Sequence, residues 1–81
     1  MSSSRPEVLA AVERIFREVF DDESLSVPET LVREDLPAWD SLGHIRLVGA
    51  LEEAFGAAFT IEEIESMTSA ARIVDVIAAK S

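Results

Sequence analysis

The stretch Asp40–Gly56, DSLGHIRLVGALEEAFG, decides the fold that this sequence predicts. Its apolar residues recur every three to four positions, which is the spacing of one face of an α-helix. Asp40 and Ser41 are favoured at the start of a helix, and Gly56 is a favoured stop. The face predicted to build the core consists of His44, Leu47, Val48, Leu51 and Phe55.

The opposite arc of this helix mixes apolar, small and acidic positions. Its members are Leu42, Ile45, Arg46, Gly49, Glu52 and Glu53. An apolar strip with flanking charge is typical of a surface that docks another protein. Single exposed aliphatic side chains are also ordinary, and a neighbouring loop could cover them. These residues alone leave both interpretations open.

Three further segments have helical periodicity. The first runs from about Arg5 to Asp21, and Ser4 and Glu7 before its apolar stripe have the spacing of a capping box. A short third helix is expected after Thr60, which has the same spacing to Glu63. The fourth starts after Thr68 and ends near Ala79. The residues expected to face the core are Val8, Leu9, Val12, Ile15, Phe16, Val19 and Phe20, then Ile61, Ile64 and Met67, then Ala70, Ile73, Val74 and Ile77.

A long loop, from about Asp22 to Trp39, separates the first two helices because Pro28 and Pro37 bar a continuous helix. Its apolar residues are expected to pin it across the bundle, with a helical turn near Glu29–Arg33. These residues are Leu25, Val27, Leu31, Leu36 and Trp39. No segment alternates with period two, so the sequence predicts an all-α four-helix bundle with three longer helices and one short third helix.

The length of 81 residues suits one small domain, predicted to span residues 1–81. There is no cysteine, which excludes disulfides and thiolate metal sites. The run Asp21-Asp22-Glu23 lacks the spacing and central glycine of a calcium loop, so no metal site is expected. No apolar run approaches the length of a membrane span, and the start MSSSRPEV lacks the apolar part of a signal peptide. We expect a cytosolic monomer without membrane contact.

Negative charge is concentrated in the middle of the chain. The net charge is −9, and from Glu18 to Glu65 there are thirteen acids against two bases, Arg33 and Arg46. Nucleic-acid phosphates would be repelled, which makes nucleic acid an unsuitable partner. A basic protein surface is the natural complement, although acidity can also serve solubility alone.

Ser41 has three interpretations. It can cap the second helix together with Asp40. It can be a nucleophile with His44 as base, although no orienting acid, oxyanion hole or strained elbow accompanies the pair. It can also be modified by another enzyme, since a helix N-terminus favours an attached phosphate. The predicted inward position of His44 argues against the second interpretation, whereas the first and third are compatible because Asp40 can cap while Ser41 is modified. The physical chemistry alone does not identify the modification.

The segment Asp40–Ile77 strongly resembles the acyl and peptidyl carrier protein family. It has the Asp-Ser-Leu motif at Asp40–Leu42 and the Leu-Val-x-x-Leu-Glu-Glu-x-Phe pattern at Leu47–Phe55. An Ile- and Glu-rich third helix and a Thr-led fourth helix follow, and the amphipathic first helix and long loop also match. The resemblance therefore covers nearly the whole chain.

The resemblance implies that Ser41 carries a covalent 4′-phosphopantetheine arm, donated by coenzyme A through a phosphopantetheinyl transferase. The arm would hold acyl cargo as a thioester, and the carrier would not itself be an enzyme. Docking would fall on Asp40, Leu42, Ile45, Arg46, Gly49, Glu52 and Glu53. The implied partners are an acyl- or aminoacyl-loading ligase or transferase and downstream synthases, dehydrogenases or transferases. The alternative is a small acidic helical interaction domain with no covalent cofactor.

Several residues depart from the fatty-acid carriers of this family. Those carriers usually have acids just after the serine, where this chain has Gly43, His44 and Arg46, and often a larger apolar residue where Gly49 stands. With Trp39 directly before the motif, the pattern favours a discrete carrier of a specialised-metabolite pathway, with polyketide, aminoacyl or hydroxyacyl cargo. A fatty-acid type pathway is the alternative. The Gly-Gly that commonly precedes the serine in nonribosomal peptide carriers is absent.

Overall fold

Four α-helices make up most of residues 4–80, the part of the chain that the computed structural model describes. They are α1 (Arg5–Val19), α2 (Ser41–Phe55), α3 (Ile61–Ser66) and α4 (Ala70–Lys80), and a 3-10 turn lies at Arg33–Asp35. The predicted all-α four-helix bundle is confirmed, with three longer helices and a short third one. Met1–Ser3 and Ser81, which the predicted domain of residues 1–81 includes, lie outside the described residues.

The core forms where α1 packs against α2 and α4. The inward residues predicted for α2 and α4 are buried, except that Phe55 is half-buried, and Val76 joins them. The loop contributes Val27 and Trp39, and the Trp39 ring meets Phe16 edge-on with centroids 5.0 Å apart. Leu25, Leu31 and Leu36 are half-buried against this core, so the predicted pinning of the loop is confirmed.

Polar contacts also hold the loop to the helices. The Glu13 carboxylate accepts the Val27 N–H at 2.9 Å, and Arg17 donates to the Leu25 carbonyl at 2.7 Å. Near the other end of α1, Arg5 pairs with Glu29 and Asp75. The loop is therefore attached along the length of α1. This attachment restricts where the residues just before α2 can lie.

Near the predicted helical turn at Glu29–Arg33, the structure has a single hydrogen-bonded turn at Pro28–Leu31, and the 3-10 turn lies later, at Arg33–Asp35. The start of α4 explains the shift. The carbonyls of Glu29 and Leu31 accept hydrogen bonds from N–H groups of α4 at 3.1 and 2.9 Å. The Arg33 N–H donates to the Thr68 carbonyl. With the Glu29 and Leu31 carbonyls engaged by α4, the turn at Pro28–Leu31 does not extend into a helix, and the 3-10 turn begins where this pairing ends.

Two further expectations about helix starts need correction. Ser4 is the N-cap of α1, but its side chain makes no capping hydrogen bond. Pro6 lacks an N–H, which leaves the first turn with fewer donors to satisfy. Ile61, predicted to be buried, is 74% exposed at the first position of α3, and Phe59 before the helix fills the core instead.

The capping box at α3 is present as predicted. The Thr60 hydroxyl accepts from the Glu63 N–H at 3.1 Å, and the Glu63 carboxylate accepts from the Thr60 N–H at 2.8 Å. The Thr60 N–H and the nearby Lys80 ammonium lower the pKa of Glu63 below its ordinary value. This fixes the start of a helix of only six residues.

Candidate functional site

Asp40 and Ser41 have different environments at the start of α2. Asp40 is the N-cap, and its Oδ1 accepts the Gly43 N–H at 2.8 Å. Ser41 is the first helical residue and is exposed. Within residues 4–80, no group forms a hydrogen bond with its hydroxyl. The helix start therefore leaves the serine oxygen open to solvent, beside backbone N–H groups and a positive dipole end that favour an anion.

His44 points into the core, as the helical periodicity predicts, and is 8% exposed. The Trp39 indole donates to its Nδ1 at 2.8 Å, and its Nε2 lies 2.8 Å from the Ile64 carbonyl oxygen. Because the indole N–H can only donate, Nδ1 accepts and Nε2 carries the proton. With both ring nitrogens engaged in the interior, His44 cannot serve as a base for Ser41. The nucleophile interpretation is wrong.

Trp39 is held in place from several sides. Its side chain is 2% exposed, its carbonyl accepts from Arg33 Nε at 2.9 Å, and its N–H donates to the Leu36 carbonyl at 2.9 Å. The sequence did not point to the Arg33 contact, since an arginine in an acidic loop gives no sign of its partner. Together these contacts orient the chain two residues before Ser41.

Gly43 has a packing role that sequence patterns did not reveal. A Cβ atom at this position would lie 2.5 Å from the Ala38 carbonyl oxygen and 2.9 Å from Phe20 Cε1. The departure from the acid found in fatty-acid carriers thus coincides with a close approach of the loop and α1 to α2. One sign of this packing was present in the sequence: a glycine stands in the first turn of α2, where the helical backbone does not require one.

Gly43→Ala should destabilise the fold, whereas Gly49→Ala should stabilise it. Overpacking at Gly43 is expected to cost about 1–3 kcal/mol, which outweighs the helical preference for alanine. Gly49 is exposed with no atom within 4 Å of an added Cβ, so its replacement should gain about 0.5–1 kcal/mol. Urea unfolding followed by circular dichroism measures both. Equal stability of the two variants would show that the loop does not exclude a Cβ atom at Gly43.

The outward face of α2 is open to solvent near Ser41. Leu42 is 65% and Ile45 is 67% exposed, and Gly49 and Glu53 are exposed farther along the helix. Arg46 is exposed but bends towards α1, where its Nη2 donates to the Val19 carbonyl at 3.3 Å. Its charge thus lies at one edge of the strip, near the C-terminal end of α1.

Glu52 differs from the other residues predicted for this face. It is half-buried, and its Oε2 accepts the Phe59 N–H at 3.0 Å. Glu52 therefore ties the end of α2 to the segment before α3, whereas Glu53 is exposed to solvent. Helical spacing alone places both on the outer arc and does not reveal this difference.

Residues 4–80 hold neither a cluster of metal ligands nor a membrane-spanning helix. That part of the chain contains no group of three or more histidine, cysteine or acidic side chains placed to hold a metal ion. None of its helices has the length and apolar character needed to cross a membrane.

Comparisons with known proteins identify the family. No family model matches the chain. The acyl carrier protein of Rubrobacter xylanophilus is 40% identical over 74 residues, which cover 90% of each chain. That of Buchnera aphidicola is 47% identical over 49 residues, covering 60% of this chain and 62% of the relative. The solution NMR structure of the holo acyl carrier protein from Geobacter metallireducens has a TM-score of 0.84 at 33% identity, covering 90% of this chain and 84% of that one. The four-helix bundle and these likenesses agree, and this chain belongs to the acyl carrier protein family.

Proposed function

We propose that this chain is a discrete acyl carrier whose cargo is held as a thioester on a 4′-phosphopantetheine arm attached to the Ser41 hydroxyl. The observation that carries the proposal is the exposed hydroxyl, without a partner in residues 4–80, at the start of a 15-residue helix. The family assignment and the holo form of the Geobacter relative support it. The arm supplies a terminal thiol that holds the acyl group.

The residues around Ser41 suit a phosphodiester. Asp40 already caps the helix, so modification of Ser41 does not remove a hydrogen bond that the fold needs. The N-terminus of α2 favours negative charge on the serine oxygen. The exposed hydroxyl also leaves room for a transferase to bring coenzyme A close. Asp40 thus caps the helix, and the neighbouring Ser41 is left to hold the arm.

The docking face of the proposed carrier is the outer strip of α2. Leu42 and Ile45 supply apolar contact, Gly49 allows close approach, and Asp40 and Glu53 supply negative charge. Its partners would be a phosphopantetheinyl transferase, a loading ligase or transferase, and downstream synthases, dehydrogenases or transferases. A cytoplasmic monomer that binds neither nucleic acid nor membrane fits the acidic surface.

The cargo class is proposed from the residues that depart from fatty-acid carriers. Arg46 places a cation at the edge of the docking face, and Gly49 removes apolar contact from its middle. A partner with a uniformly basic docking groove would be repelled at Arg46. We therefore propose a specialised-metabolite pathway that uses polyketide, aminoacyl or hydroxyacyl groups.

The absence of cysteine makes a sharp test of the arm. The unmodified chain contains no thiol, so any thiol gained on incubation with coenzyme A and a permissive transferase, after removal of free coenzyme A, must come from the arm. The thiol content, measured by titration, should rise from zero to one thiol per chain. The same incubation without transferase is the control. No gain of thiol in a folded sample would reject the carrier proposal and favour the acidic interaction domain.

A further inference from the structure

We propose that His44 is a positioning residue for the modification of Ser41, acting through a buried chain of hydrogen bonds from Trp39 to Ile64. The inference rests on the proposed function, because it concerns the attachment step at the same serine. The chain of hydrogen bonds joins three parts of the fold that meet at the start of α2. These are the end of the loop, α2 itself and the last turn of α3.

The two hydrogen bonds fix His44 in one tautomer. Trp39 Nε1 donates to Nδ1 at 2.8 Å, and the protonated Nε2 donates to the Ile64 carbonyl at 2.8 Å. The two rings are nearly coplanar, with centroids 6.1 Å apart and planes inclined by 24°, which suits an in-plane N–H···N hydrogen bond. The other tautomer would set an N–H against the indole N–H, and a flipped ring would set a C–H there. The Ile64 carbonyl therefore orients His44 towards Trp39.

Trp39 transmits this arrangement to Ser41. It lies two residues before the serine, and Asp40 between them is the cap that starts α2. The Trp39 indole is buried, so without His44 it must move to find another acceptor. Movement of Trp39 would change the path of the chain into α2, and with it the direction of the Ser41 hydroxyl. Leu42 and Ile45 lie on the opposite, outer side of the helix from His44, so the docking strip would stay available.

This arrangement predicts a specific kinetic change. His44→Leu should lower kcat for phosphopantetheinylation about tenfold while KM for the carrier is unchanged, because a small misplacement of a reacting group slows the reaction after docking. Trp39→Phe should have a similar effect, and the double variant should lose little more. His44→Asn retains an acceptor that can reach Trp39, so it should recover most of kcat.

A purely structural role gives a different result. Val74→Ala removes buried volume from α4 without touching the chain of hydrogen bonds and is the matched control. Assays are run at a temperature where circular dichroism shows every variant folded. Val74→Ala should then keep the wild-type kcat. An unchanged kcat in His44→Leu, or an equal loss in Val74→Ala, would overturn the proposal. If His44→Leu does not fold, kcat of His44→Asn must exceed that of Trp39→Phe.

Nitrogen NMR of the imidazole tests the geometry without any modification step. The wild type should show a protonated Nε2 and an unprotonated Nδ1, and the indole N–H signal of Trp39 should shift in His44→Leu. A neutral His44 imidazole with its proton on Nδ1 would overturn the inference. If the wild type shows this tautomer but gains no thiol from coenzyme A, the carrier proposal fails and the described geometry of His44 stands.

Discussion

Ser41→Ala is expected to abolish phosphopantetheinylation. The variant should show no added mass and no thiol after incubation with coenzyme A and transferase, because it lacks the oxygen that forms the phosphodiester. Its stability should stay within about 0.5 kcal/mol of the wild type, since Asp40 caps α2. Intact-protein mass spectrometry measures the modification, and circular dichroism checks the fold.

Ser26→Ala is the matched control for this experiment. Ser26 is also exposed, and no hydrogen bond to it is present among residues 4–80, but it lies in the loop and not at a helix start. The control variant should gain one phosphopantetheine like the wild type. A Ser41→Ala protein that is still modified would place the arm elsewhere and contradict the proposed site.

Ile45→Asp is expected to lower kcat/KM for modification by about thirtyfold, the size of effect seen when an anchor of a protein interface is lost. The side chain is 67% exposed, so the change should leave the helical content intact. An aspartate would bring an unpaired charge into an apolar contact with the transferase. The measurement is the initial rate of modification over a range of carrier concentrations.

Ala10→Asp adds the same charge at an exposed position of α1, away from the start of α2, and should leave the rate unchanged. Glu53→Lys should also slow modification, and it is a cleaner test than reversal of Glu52, which holds the Phe59 N–H. Equal rates for Ile45→Asp and Ala10→Asp would show that the outer strip of α2 is not the docking face.

Sequence periodicity predicted the parts of the fold that depend on one helix at a time. The bounds of α2, the capping by Asp40 and the inward position of His44 follow from local spacing and residue type. The exposed positions of Leu42 and Ile45 follow from the same helical geometry. Such features are predictable because each depends on residues that are close together along the chain.

The features that were missed depend on contacts between distant segments. Gly43 meets Ala38 and Phe20, and the turn at Arg33–Asp35 begins only after backbone pairing with the start of α4. Ile61 lies outside the core at the first position of α3, whereas Phe59 before the helix is buried. None of these contacts leaves a periodic pattern in the sequence, since they arise from how the loop and helices pack together.

The mass and fragmentation of the wild-type protein after incubation with coenzyme A and a permissive transferase test the central claim most directly. The claim predicts the addition of one phosphopantetheine, with the added group located on Ser41 by fragmentation of the peptide that contains it. A folded protein with no added mass, or with the group on another residue, would contradict it.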